Sequence, residues 1–474
     1  MNAASTTTAT AKAGADAAGV GRRVATWRMW LFHFMYARGT TMNFWIARRL
    51  GPAGMGICLL LIATSFIAMS QPRDSAYQLF SMTFALSGIG LVWAFARRAR
   101  ARVSRHLPRH ATAGVTLRYP VEVRNLGRRG LAGVSLVESP PDPRPSAAMF
   151  AREAEPGESE RNAFDRFFAY YRWQWLMQRR RMFDGGRSQE AFHLDGGGAK
   201  RVMMEITPRK RGVIALRDMR MLLPDPIGLF QSCARIDCAA NTLVVLPRRY
   251  PLPPVELPGG AMHRIGSEAS TNSVGTNGEF VGLRDYRDGD PMRLIHWKSW
   301  ARTGRPIVKE LEDTHYPRHG LVIDTFAGGT QDSAFEELVS VAASFAAGID
   351  TRDTLLDLMF VEGKAHRVTV GRGVERAEKL LEVLAGVALN DEDGFSNLAN
   401  LVKRHGEDLG SCLVLLSGWD ERRAEFLEDL RSCGLPCVPV VVGFGEKPTG
   451  SPGHWIDAAH PARDLARMPL RPRA

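Results

Sequence analysis

The chain has 474 residues, 45% hydrophobic and 24% charged, enough for two or three domains. Its net charge is +12, yet the first 110 residues hold 14 Lys and Arg against two acids, which leaves 48 bases and 48 acids in the other 364. So balanced a body argues against a basic nucleic-acid-binding domain, and six cysteines with no paired CxxC arrangement read as free thiols of a reducing compartment rather than as metal ligands.

Residues 1–20 are rich in Ala, Thr and Gly and read as disordered. Residues 27–36, with Trp27, Trp30, Phe32, Phe34 and Tyr36 between arginines, are too few to span a bilayer. They read as an interfacial segment or as a buried helix. Together, residues 1–50 form a disordered and juxtamembrane part.

Residues 52–70 and 77–96 are nearly uncharged apolar runs, each close to the ~20 residues that a spanning helix needs. They predict a two-helix transmembrane hairpin within 52–97. Arg38, Arg48 and Arg49 precede it, and Arg97, Arg98, Arg100, Arg102 and Arg105 follow it. The connector carries only Arg73, beside Asp74. The positive-inside rule therefore places both termini in the cytoplasm, and membrane lipid becomes the first expected partner.

From 110 to 255 the pattern is that of strands. Residues 115–123, 131–137, 201–206, 213–216, 219–223, 233–238 and 243–246 are short β-type runs between Gly, Pro and Asp turns, which predicts a small β-sandwich. An insertion at 140–200 interrupts it, Pro-rich at its start and ending in Gly196-Gly197-Gly198. Helical spacing within the insertion aligns Phe164, Phe168, Tyr171 and Trp175, and Arg179, Arg180 and Arg181 follow. Such a helix packs its aromatics on its own sandwich, or contacts a membrane surface or a partner through Phe168, Tyr171, Trp175, Arg179 and Arg180. Single-stranded nucleic acid is a third, minor alternative, because aromatics with Arg also stack bases.

Residues 260–315 contain the densest stretch. Residues 279–286 read as an extended segment with Phe280, Leu283 and Tyr286 inward, and Asp288-Gly289 as a turn. Asp290-Pro291 reads as a helix start, Asp as a cap and Pro at the first helical position. A helix through Ala301 would line up Leu294, Trp297 and Ala301, end at Thr303-Gly304, and give way to a strand over 306–311. The acids Glu279, Asp285, Asp288 and Asp290 alternate with Arg284, Arg287, Arg293, Lys298 and Arg302, a mixture that favours structural ion pairs over an acid/base cluster. No nucleophile or orienting partner is legible beside His296, so it reads as a packed histidine.

This stretch resembles the signature of domain-of-unknown-function family 58. The resemblance rests on Glu279-Phe280, Gly282-Leu283-Arg284, Tyr286, Gly289-Asp290, Arg293, Ile295, Trp297-Lys298, Ala301-Arg302 and Val308-Lys309-Glu310. Arg211-Gly212 and Asp225-Pro226-Ile227-Gly228-Leu229-Phe230 also look like the Ig-like β region that precedes the signature in that family. The resemblance implies a bacterial inner-membrane protein whose signature residues, with His296, Arg302 and Lys309, form an interaction surface. It implies as partner a MoxR-type AAA+ ATPase acting in assembly or maturation of other proteins. No general catalytic activity comes with it.

Residues 316–460 alternate strands and helices. Strands are expected at 321–326, 355–361, 412–416 and 438–442, and helices at 333–349, 375–388, 396–404 and 422–431, a doubly wound α/β domain. The domain resembles a von Willebrand factor A-like domain. The metal pattern of such domains, Asp-x-Ser-x-Ser, reads here Asp324-Thr325-Phe326-Ala327-Gly328, so that both hydroxyl ligands are lost. Asp324 with Asp420, and Thr325 as a third donor, would be a sparse set for a divalent cation. The expectation is therefore a membrane-anchored α+β multidomain interaction protein, with an enzymatic role left open and no cofactor other than a candidate divalent cation at Asp324 and Asp420. The alternatives are a metal-dependent hydrolase using the signature acids and a nucleic-acid binder working through 164–183.

Overall fold

In the computed structural model, the residues described are 4–70, 74–96, 99–253, 257, 279–312, 318–326, 332–349, 355–362, 364–370, 374–390 and 395–468. They fall into two compact units, Met1–Leu246 and Pro247–Ala474.

The first unit opens with a helix over Ala4–Arg49. Residues 4–20, expected to be disordered, fall within that helix, in keeping with the high helix propensity of their alanines. Two helices follow that are long and apolar enough to cross a membrane, over Ala53–Ser70 and Asp74–Ala96. Only 17% of each is buried within the protein, which fits lipid-facing helices rather than core helices. Their hydroxyls are satisfied inside the helix, as a bilayer requires: Thr83 Oγ1 donates to the Leu79 and Phe80 carbonyls and Ser87 Oγ to the Thr83 carbonyl.

The turn at 225–230 fastens these helices to the β body. Asp225 Oδ1 accepts from Leu229 N at 2.8 Å, and Gly228 takes φ 81° to close the turn. Leu229 and Phe230 then pack with Ala94, Leu50, Ile57 and Leu86. Gly90 admits no Cβ, because one would lie 2.8 Å from both Phe230 and Asp225 Oδ2.

The β body contains a nine-stranded and a three-stranded sheet around one core. It begins earlier than residue 110, since Ala101–Arg105 is already a strand with alternating burial, paired antiparallel to Leu117–Asn125. The 140–200 insertion also contributes to the larger sheet through Phe183–Ser188. Tyr119, Val121, Leu136, Met204, Ile206, Ile214 and Leu243 are fully buried in the core, each contributing about 1.5–3 kcal/mol relative to exposure. Within it Glu138 accepts from Arg105 Nε at 3.0 Å and Nη2 at 2.7 Å, and from Tyr119 OH at 3.2 Å.

In the second unit, a six-stranded sheet runs in the order Lys364–Val370, Leu355–Glu362, Arg318–Ile323, Ser411–Ser417, Cys437–Gly443, His454–Asp457. Only the first strand is antiparallel to its neighbour. It and His454–Asp457 had no sequence signal strong enough to separate them from loop. The four expected strands and four expected helices are all present, within a few residues. Val322, Val414, Leu416 and Val441 pack under helices Phe395–His405 and Glu421–Ser432. Their fully buried neighbours Leu321, Ile323, Leu413 and Leu415 point to the opposite face by the strand period of two, where helix Asp332–Gly348 packs. Cys412 and Cys437 are register partners with their sulfurs 3.1 Å apart, a proximity that no spacing rule exposes.

Candidate functional site

The signature stretch folds as a hairpin. Glu279–Asp285 pairs antiparallel with Ile307–Glu312, with an irregularity between Phe280 and Gly282. The side chains of Glu279 and Phe280 lie outside the described residues. Between the strands come a 3-10 turn over Met292–Leu294 and a helix over Trp297–Thr303. The continuous helix expected from Asp290 to Ala301 is therefore corrected. Ile295 leaves the helical path to bridge Val308, and those two side chains, 5% and 1% exposed, are the hairpin's inside. Leu283, expected inward, is 44% exposed, and Trp297 is 61% exposed. Gly304 ends the helix at φ 70°, as the sequence predicts.

Asp290 organises the turn rather than a helix. Its two oxygens accept from Arg284 Nη1 and Nη2 at 2.7 Å each, and Oδ2 also accepts from Arg287 N at 2.8 Å. The Arg284 fork and this N–H hold the Asp290 carboxyl down to about 2. Gly289 has φ 105°, which lets the chain turn back on itself there. Further along, His296 Nδ1 lies 2.7 Å from Ser299 Oγ, and its N–H donates to the Ile307 carbonyl at 2.8 Å. The Trp297 and Trp300 rings stack at 5.3 Å. Arg293, Lys298, Arg302 and Lys309 are exposed. Among the described residues no carboxylate lies within salt-bridge distance of the first three. Among the described residues the site thus joins an exposed indole to cations with no carboxylate at salt-bridge distance, on a frame that includes the Arg284–Asp290 pair.

The second candidate lies where the α/β sheet reverses its strand order. From Arg318–Ile323 the chain goes first to Leu355–Glu362 on one side and later to Ser411–Ser417 on the other. Ligands of open α/β sheets sit at the carboxyl ends of strands at such a reversal. Here the position is filled by the chain itself. Asp324, fully buried, accepts from Phe326 N on Oδ1 at 3.0 Å. Its Oδ2 accepts from Ser417 N at 3.0 Å and Arg423 Nε at 2.7 Å. The Arg423 side chain is 2% exposed, donates to Asp420 Oδ2 at 2.5 Å and to the Phe326 carbonyl at 3.3 Å, and faces the Phe395 ring. Asp420 also caps its helix by accepting from Arg423 N at 2.9 Å. Thr325 Oγ1 donates to the Val361 carbonyl. Burial raises the Asp324 carboxyl, while Arg423 and the two N–H groups pull the other way. Asp324 and Asp420 are thus brought together as expected, but around a guanidinium. Ala327 and Gly328 of the degenerate pattern lie outside the described residues, as do the positions beyond 312 that close the hairpin region.

Arg423 is the residue that sequence reasoning missed. The only local signal was its spacing of one helical turn from Asp420; its partner Asp324 lies 99 positions away.

The aromatic insertion is two helices, Ala163–Phe168 and Tyr170–Arg180, broken by Ala169 at φ 53°. This corrects the single-helix stripe of Phe164, Phe168, Tyr171 and Trp175. The surface it covers is the juxtamembrane helix: Phe32, Phe150, Ala169, Trp173 and Leu176 form one cluster, with Tyr36, Phe168 and Trp175 against it. Tyr36 OH donates to the Phe168 carbonyl at 2.9 Å. Tyr171 carries the Arg161 guanidinium over its ring, Arg179 pairs with Glu153 at 2.6 Å, and Arg180 lies against Met149. The cations proposed for membrane or partner contact already have partners within the chain.

Residues 282–424 match the family model described as Protein of unknown function DUF58, a span that takes in most of the hairpin and the whole Asp324–Arg423 constellation. A relative in Bacillus subtilis strain 168, Uncharacterized protein YeaD, is 24% identical over 240 residues, 48% of this chain and 56% of its own. The match thus spans about half the length of that relative. Among solved structures, a CARDB domain from Pyrococcus furiosus aligns in its solution form and in a crystal form with di-metal ions. Both are 10% identical over 31% of this chain and cover 93% and 88% of theirs, at a TM-score of 0.16, which is too low to bear on the fold.

Proposed function

We propose that this chain is a membrane-anchored, cytoplasm-facing interaction protein whose signature hairpin docks a protein partner. A MoxR-type AAA+ ATPase, acting in assembly or maturation of other proteins, is the partner class that the family resemblance implies. The proposal includes a bacterial inner-membrane location with two spans and both termini in the cytoplasm. It also treats the β body as Ig-like and the α/β domain as von Willebrand factor A-like.

The observation that carries this reading is the composition of the hairpin surface: Trp297 exposed beside Arg293, Lys298 and Arg302, with the nearby acid Asp290 spent on Arg284. Exposed Trp and Arg are the residue types that concentrate binding energy in protein interfaces. The same disposition supports docking over hydrolysis, since Asp290 accepts three internal hydrogen bonds and His296 is engaged by Ser299. The rival metal-dependent reading has its best residues at Asp324 and Asp420, and there a cation is already supplied by Arg423.

The test is co-purification of the gently solubilised full chain, with and without ATP. An AAA+ ATPase recovered by the wild type and lost from an Arg293→Ala/Trp297→Ala variant that melts normally would support the reading. Equal recovery by the variant would remove the hairpin from it, and a preparation without that ATPase in either condition would sink the partner. Reporter fusions at each terminus and within the 71–73 connector test the topology independently.

A further inference from the structure

A cavity of about 840 Å³ lies within the first unit, where the juxtamembrane helix gives way to the first apolar helix. Three parts of the unit line it: the last turns of Ala4–Arg49, the Pro-rich stretch 139–144, and the strands at 215–233. Five arginines line it, Arg48, Arg49, Arg144, Arg217 and Arg220, against the acids Asp142 and Asp218. Both carboxylates are spent. Asp142 is forked by Arg144, and Asp218 pairs with Arg235 at 2.5 Å. Arg48, Arg49, Arg217 and Arg220 are left without a carboxylate partner among the described residues.

Among the described residues, Arg220 Nε and Ser139 Oγ behind the lining are buried and have no partner. Burial and the adjacent Arg220 hold the Arg48 guanidinium below its ordinary value, against the opposing pull of the Cys233 thiol, so that two like charges stand together with no carboxylate between them among the described residues. A tetrahedral oxyanion in the cavity would neutralise these two neighbouring guanidiniums. It accepts several N–H and O–H donors at once and suits the guanidinium fork.

The depth of the cavity names the source of that anion. The span begins at Ala53, five residues after Arg48, which is on the order of 7 Å along a helix. The headgroup layer of a bilayer is about that thick on each side of its hydrocarbon core. The chain is also fastened there: Gly51 N donates to the Leu229 carbonyl at 3.3 Å, and a Cβ on Gly54 would lie 2.0 Å from that same oxygen. Trp45 and Phe44 line the cavity too, residue types that settle at the headgroup level. We propose that this cavity seats the phosphate of an anionic phospholipid headgroup, held by Arg48 and Arg220. The choice of lipid over free phosphate rests on the membrane anchor proposed above; the anion site itself does not.

The experiment uses the full chain in neutral detergent micelles. Native mass spectrometry counts retained phosphatidylglycerol, and thermal melting is followed with added phosphatidylglycerol or with inorganic phosphate. The wild type is expected to retain phosphatidylglycerol and melt higher with it. An Arg48→Gln/Arg220→Gln variant is expected to retain it about tenfold less, whereas Arg128→Gln/Arg129→Gln, on a turn outside the cavity, should match the wild type. If the Gln pair does not fold, Arg48→Lys/Arg220→Lys keeps the charge but loses the fork and should still weaken retention severalfold. Equal retention by wild type and cavity variants would overturn the proposal. So would stabilisation by inorganic phosphate alone, which would leave an anion site fed from solvent. Failure of the chain to float with phosphatidylcholine vesicles would count against the anchor, and the micelle measurement reads the cavity regardless.

Discussion

The signature hairpin and the strand-end site at Asp324 use the same pair of groups, an aspartate gripped by an arginine, to opposite ends. At the hairpin the pair is only partly buried, its members six residues apart in sequence, and it fixes a turn beside which other cations are exposed. At the sheet the pair joins residues 99 positions apart with both side chains almost wholly buried, and it closes the place where such a sheet would hold a ligand. The core of the β body has its own sealed pair, Arg105–Glu138, with 0% exposure on both side chains. Burial, more than residue type, separates a closed structural pair from a scaffold for docking. In water the pair is worth little but can orient its neighbours, whereas in the interior each member becomes indispensable to the other.

That contrast is broken most directly at Arg423. Arg423→Met leaves Asp324 buried without its cation and is expected to cost about 3–5 kcal/mol, read by denaturant unfolding of the full chain in detergent. Asp324→Leu added to it should restore much of the loss, because two apolar groups need no mutual neutralisation. A single variant as stable as wild type would mean that the strand-end site is not sealed by this pair. Next in size, Gly304→Ala forces a side chain into φ 70° and should cost about 1 kcal/mol, measured the same way. Trp297→Ala, at an exposed position, should stay within about 0.5 kcal/mol in stability while abolishing partner capture.

Acidification should distinguish the two aspartates. The Asp290 carboxyl is held down to about 2 in the folded hairpin, below its ordinary value. Its contribution is therefore complete above that ordinary value, about 4, and is lost as pH falls from there towards 2. Fluorescence of the stacked Trp297–Trp300 pair should follow that window in the wild type and be flat across it in Asp290→Asn. The smallest effect is expected from metal: adding Mg²⁺ or a chelator should leave the melting temperature of the full chain unchanged, since Arg423 occupies the cation's place between Asp324 and Asp420. A metal-dependent rise lost in Asp324→Asn would restore the hydrolase alternative.

By itself the sequence determined whatever depends on neighbours close along the chain. Two uncharged runs of spanning length were legible because a bilayer selects for composition alone, and Gly304 marked its helix end because only the left-handed conformation closes that turn. The alternation of strand and helix from 318 onwards was legible for the same reason, because periods of 2 and 3.6 are local. Tertiary structure decided the rest. Ala169 breaks the aromatic helix only because Trp173, Leu176 and Phe150 find the juxtamembrane helix to bury against, a surface more than a hundred residues earlier. Ile295 abandons a helical path because Val308 offers it an interior. Arg423 reaches Asp324 because two parallel strands meet, and a pairing across 99 residues leaves no periodic trace in the sequence. Local preferences amount to tenths of a kcal/mol per residue, whereas burying an apolar side chain or stranding a charge amounts to several, so long-range contacts prevailed wherever the two disagreed.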